Sequence, residues 1–142
     1  MATLSVTISE KITLNGSDRS VTNTVDITGV TQLNQRTVSV GTAEQSLILF
    51  DTAAAAGQFA DGSVDYIRIT NTDLTNFVKV RMTAADDEYF VKLPAGESFV
   101  LFDTTMDANN DSGAATATLA NMDSIKAQAD TSACDVELFI AS

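Results

Sequence analysis

From Val64 to Phe102 the chain reads VDYIRITNTDLTNFVKVRMTAADDEYFVKLPAGESFVLF, and this stretch limits the fold more than any other. Four short runs alternate apolar and polar residues: Val64–Thr70, Phe77–Thr83, Tyr89–Leu93 and Ser98–Phe102. Ile67 and Ile69 alternate with Tyr66, Arg68 and Thr70, and Val78, Val80 and Met82 with Lys79 and Arg81. Tyr89, Val91 and Leu93 alternate with Phe90 and Lys92. A period of two sends one set to a core and the other to the opposite face of a sheet. The connections NTDLTN, AADDE and PAGE consist of turn residues and are too short for crossover helices. The reading is an antiparallel meander in which the four strands pair in order.

The same grammar extends to both ends. Thr3–Ile8 and Ile12–Leu14 read as strand, and Asn15-Gly16 is a strong hairpin signal because both residues tolerate positive φ. Arg19–Thr28 is a weakly apolar strand that Gly29 ends; it is either an ordinary edge strand or a segment that packs on meeting another subunit. Arg36–Val40, Gln45–Phe50, Ser124–Ala129 and Asp135–Ile140 complete the set, and Thr52 with Ala53–Gly57 reads as one capped turn of helix. Asp103–Ala117 reads as a surface loop. About ten short strands in 142 residues, with no repeat and no composition break, predict one all-β domain. The expected architecture is an antiparallel β-sandwich of jelly-roll type, with residues 1–28 as an N-terminal arm or edge hairpin.

Charge and residue types narrow the function. A net charge of −11 argues against nucleic acid as a partner, because phosphate contacts need a basic patch, and against an anionic membrane surface. No run approaches the ~20 apolar residues of a membrane span, and the N-terminus lacks a signal-peptide pattern, so the expectation is synthesis in a cytoplasm. Histidine is absent, and the single Cys134 lies in a strand pattern that makes it a buried thiol rather than a nucleophile. No phosphate loop, nucleophile elbow or metal-ligand spacing occurs, so neither enzymatic activity nor a cofactor is expected. Asp107, Asn109 and Asp111 resemble the start of a calcium loop, but Ser112 and Thr118 stand where its glycine and bidentate Glu belong. The Asp86-Asp87-Glu88 cluster reads as a solvated turn.

One pattern points to recognition. Of the eight Lys and Arg residues, Arg68, Lys79, Arg81 and Lys92 take the polar parity of the meander. If its strands pair in order, they share one face with Tyr66 and Phe90, which reads either as a basic-aromatic surface suited to an acidic partner or as isolated charges that balance nearby Asp and Glu.

The segments LSVTISEKITLNG, YIRITNTDLTNFVKVRM, FVKLPAGESFVLFDT and ACDVELFIAS resemble a group of small virion structural proteins of tailed bacteriophages, especially of marine and cyanobacterial phages. The resemblance covers most of the chain and rests on strand-and-turn patterns. It implies a non-enzymatic part of the virion, assembled in the bacterial host cytoplasm. The role it implies first is a capsid decoration or cement protein, partnered by the major capsid protein and by itself as a homo-oligomer, a trimer favoured. In that picture Met1–Thr28 reaches across a subunit boundary. A tail, connector or head-fibre component is the second role. A host-surface carbohydrate-binding module is the third, disfavoured by the absence of Trp and only 6% aromatic residues.

Overall fold

The structure is a computed structural model, and it describes residues 1–85, 87–107 and 118–142. Among the described residues the chain is all-β, with no helix and fifteen strands. In order these are β1 (Ala2–Glu10), β2 (Thr13–Leu14), β3 (Ser17–Asp18), β4 (Val21–Val30), β5 (Leu33–Val40), β6 (Gln45–Asp51), β7 (Phe59–Ala60) and β8 (Tyr66–Asn71). They continue as β9 (Val78–Ala84), β10 (Asp87–Leu93), β11 (Ser98–Leu101), β12 (Thr105–Met106), β13 (Ala120–Asn121), β14 (Ser124–Ala129) and β15 (Cys134–Ala141). Ten have four residues or more, and the other five are two-residue bridges.

Two sheets carry the core. One has the order β11-β8-β15-β5, and the other β10-β9-β14-β6-β7, where all pairs are antiparallel except β6 with β7. Alternation explains the burial. Ile67 and Ile69 of β8, with Val136, Leu138 and Ile140 of β15, face the same buried cluster as Val78, Val80 and Met82 of β9 and Ile125 of β14. Each such side chain removed from water contributes roughly 1.5–3 kcal/mol, against which chain entropy is set.

The meander is not formed. β9 pairs with β10 in the expected hairpin, but β8 and β11 pair with each other in the other sheet. The chain leaves β8 at Asn71 and enters the second sheet at Val78, then returns between Leu93 and Ser98. Turn residues mark where a chain reverses; they do not say whether it reverses within a sheet or over its edge. Asn71 fixes this choice. Its buried side-chain amide donates to the carbonyls of Asn76 (2.8 Å), Leu93 (3.2 Å) and Pro94 (3.2 Å), tying both crossings to one point. Its Oδ1 accepts from the Asp73 N–H at 3.1 Å.

The expected helical turn at Ala53–Gly57 is also absent. Asp51 Oδ1 takes the Thr52 N–H at 2.7 Å, and the segment closes instead as a turn, with Gln58 N–H donating to Ala55 O and Gly57 at φ +84°. Gly29 does not end its strand. Register slips there, Ala2 opposing Val30 and Thr3 opposing Thr28, so Gly29 (φ +89°) is the extra residue of a bulge in β4.

β1 and β4 form a separate two-stranded arm, tipped by β2 and β3 around Asn15 and Gly16 at φ 51° and 77°, the turn that the sequence predicts. Its base rests on the outer side of the first sheet, where Leu4, Val6, Ile27 and Val30 meet Tyr66, Val100, Phe139 and Ala141.

Three turn carboxylates give the fold an acid limit. Asp73 accepts from the N–H groups of Asn76 (2.7 Å) and Thr75 (2.8 Å), Asp103 from Thr105, and Asp18 from Ser20. These hydrogen bonds hold all three below the usual carboxylate value. A lowered folded pKa stabilises above the unfolded value, near ~3.9, and that contribution is lost as pH falls through the folded one. The melting temperature is therefore expected to fall below about pH 4, and Asp73→Asn, which keeps an acceptor, to flatten the acid slope with little change at pH 7. Thermal melts from neutral to acid pH check it, and an unchanged slope in the variant would remove Asp73 from the account.

Candidate functional site

The outward side of the second sheet is a three-by-three grid set by register. One row is Glu88, Thr83 and Ser124, the next Phe90, Arg81 and Lys126, and the third Lys92, Lys79 and Gln128. β9 places Lys79, Arg81 and Thr83 outward because Val78, Val80, Met82 and Ala84 are fully engaged inward.

Arg81 is the anchor of the grid. Its Nη1 lies 3.0 Å from Glu44 and its Nη2 2.6 Å from Glu88, while the guanidinium carbon sits 5.6 Å from the Phe90 ring centroid. The hydrogen bond that it donates to Glu88 leads the causes that raise its pKa, so the group stays charged. Beside it, Lys79 and Lys92 stand directly opposite each other. Like charges in that position cost stability in a sheet. Lys92 eases the repulsion by laying its Nζ 4.4 Å from the Phe77 ring centroid. Among the described residues Lys79, Lys92 and Lys126 form no ion pair. Four cations against Glu44 and Glu88 make this face net positive on a chain of charge −11.

Of the six residues expected to share a docking face, Lys79, Arg81, Phe90 and Lys92 do so. Arg68 and Tyr66 do not, because β8 belongs to the other sheet. Arg68 pairs with Glu137 and lies 5.8 Å from the Phe139 ring centroid. Tyr66 is buried under the arm, edge-on to Phe102 and Phe139 at 5.4 and 6.0 Å, and burial raises its phenol pKa. Tyr66 supports the arm. Lys126 is the member that sequence reading misses: β14 lies outside the 64–102 stretch, and only its register beside β9 brings Lys126 next to Arg81.

The remaining candidates resolve as follows. Asp107 accepts a hydrogen bond from the Thr118 N–H, while Asn109 and Asp111 lie outside the described residues. Asp86 also lies outside them; Asp87 and Glu88 belong to β10 rather than to a solvated turn, and Glu88 is ion-paired. Among the described residues no group of three His, Cys, Asp or Glu side chains could hold a metal ion. Cys134 is buried, and desolvation, followed by the charges of Asp73, Asp130 and Asp135, raises its thiol pKa, as befits an inert core residue. Among the described residues no helix is long and apolar enough to cross a membrane. No protein-family model, curated protein or solved structure matches the chain.

Proposed function

We propose that this chain is a non-enzymatic structural protein of a tailed-bacteriophage virion, a decoration protein that docks its basic sheet face on an acidic surface of the capsid shell. The observation that carries the reading is the strand order. Counting only β5, β6, β8, β9, β10, β11, β14 and β15, one sheet holds the first, eighth, third and sixth, and the other the second, seventh, fourth and fifth. Consecutive strands alternate between the sheets except at β9–β10. That order supports a sandwich of jelly-roll type, an architecture shared by viral capsid proteins and lectins. Fold alone does not assign function, so the reading leans equally on the grid of Lys79, Arg81, Lys92 and Lys126. A positive face retained despite an opposed Lys pair suits an electrostatic dock for an acidic shell.

Lys79→Glu separates docking from folding. It replaces an opposed like-charge pair with an attractive one, so the melting temperature should not drop, while affinity for isolated capsids falls about tenfold and loses much of its salt dependence. Sedimentation of the variant with capsids lacking the protein, across a salt series, measures both quantities. Full affinity in the variant would refute docking through this face. Arg81→Glu is a poorer probe, since it also breaks two ion pairs. Copy number in purified particles tests the location: hundreds on the outer shell support decoration, whereas about five to a few tens at one vertex mean a tail or connector part.

A further inference from the structure

At one edge of the two core sheets, polar residues take positions that face the core. β5 sends Val38 and Val40 inward, and Asn34 and Arg36 share their parity. Register sets Asn34 and Arg36 opposite Ile140 and Leu138, both fully buried. Apolar side chains would close the core there, and a partly buried cation costs stability unless an anion meets it. None does. Arg68 and Arg81 pair with glutamates, whereas Arg36 forms no ion pair among the described residues. Its Nη2 donates to Leu47 O of the second sheet at 2.6 Å, which steadies the guanidinium. Four of its five N–H donors are left without a partner among the described residues.

Arg36 borders a cleft of about 360 Å³ between β5 and the β6–β8 connection, near the small end of the ~300–1,000 Å³ range of small-molecule sites. Gln32, Asn34, Gln58, Phe59 and Ser63 line it, but no Asp or Glu side chain does, on a chain that carries nineteen. The side-chain amides of Gln32, Asn34 and Gln58 form no hydrogen bond among the described residues. Ser142 also borders the cleft. Its carbonyl oxygen is taken by the N–H groups of Thr31 and Gln32 at 2.7 and 2.8 Å, and it forms no ion pair with Arg36.

We propose that this cleft binds a hydroxylated carboxylate of monosaccharide size, an ionised uronic acid being the simplest case. The chemistry of the wall selects it. A single guanidinium fork matches one planar carboxylate in charge and geometry. Amides offer a donor and an acceptor side by side, as sugar hydroxyls require. Phe59 supplies an apolar wall for the C–H face of a ring. A polyanion such as a nucleotide would meet one cation on a chain of charge −11. The inference rests on the cleft alone and stands apart from any virion role.

Titration of the intact, purified chain with sodium glucuronate at about 20 mM salt, followed by NMR, tests it. A dissociation constant of about 1 mM is expected, with shifts concentrated in the side-chain amide signals of Gln32, Asn34 and Gln58. Glucose lacks the carboxylate and acetate lacks the hydroxyls, and each should bind at least about tenfold more weakly. Arg36→Met keeps the stem, removes the charge and should weaken glucuronate binding by more than about twentyfold. Gln58→Ala leaves the bond to Leu47 intact and should weaken it about threefold to tenfold. Arg68→Met removes a paired arginine elsewhere in the same sheet and should leave binding unchanged. Circular dichroism melts establish that the variants fold. A wild-type chain that binds no glucuronate at about 20 mM would overturn the proposal. So would acetate or glucose binding as tightly as glucuronate, full affinity in Gln58→Ala, or equal losses in Arg36→Met and Arg68→Met.

Discussion

Leu138→Ala is expected to lower the unfolding free energy by about 3 kcal/mol and the melting temperature by about 10 °C. Leu138 is fully buried on the central strand of its sheet, opposite Ile69 of β8 on one side and Arg36 of β5 on the other. Its side chain enters the cluster shared by both sheets, where a lost isobutyl group leaves a void that neighbours on two layers must share. Glu137, the adjacent residue, points outward to a half-exposed pair with Arg68, and Glu137→Ala should cost no more than about 1 kcal/mol. Urea unfolding of the two variants measures the contrast. Comparable losses would mean that the inward and outward sides of β15 have been misassigned.

The second large effect belongs to Asn71. Asn71→Leu keeps the branching of the side chain but removes the amide that donates to the carbonyls of Asn76, Leu93 and Pro94, of which Pro94 retains the Glu97 N–H, and about 3 kcal/mol of stability should be lost. Asn71→Asp is more diagnostic, since it turns a carboxyl toward three carbonyl oxygens in a buried site. Its folded pKa must rise, so the variant binds more protons folded than unfolded, and its deficit against wild type grows as pH climbs above about 4. Paired denaturation curves at acid and neutral pH would show this. A deficit independent of pH would mean that the carboxyl has rotated out to water.

The individual strands are largely legible in the sequence, because each is short, alternating and bounded by turn residues. Ser124–Ala129 and the hairpin at Asn15-Gly16 form where their residue patterns place them. Pairing is not legible. β8 joins β11 and β15 through contacts between residues far apart in the chain, and only the Asn71 amide, a polar residue at an inward position of an otherwise apolar alternation, hints that this strand end is special. The docking face suffers the same way. Parity correctly puts Lys79, Arg81, Phe90 and Lys92 outward, but parity is silent on which sheet a strand joins, so it groups Arg68 and Tyr66 with the wrong face and misses Lys126.

The place of β15 has a consequence in time. The strand between β8 and β5 in the first sheet follows the other fourteen described strands in sequence, and until Cys134–Ala141 is made, β8 and β5 have no neighbour between them. Closure of so non-local a sheet is slow, on the order of milliseconds to seconds. Phe139 and Ala141 of that same strand form part of the seat for the arm. The arm, which precedes β15 in the chain, thus acquires a fixed direction only once β15 is in place.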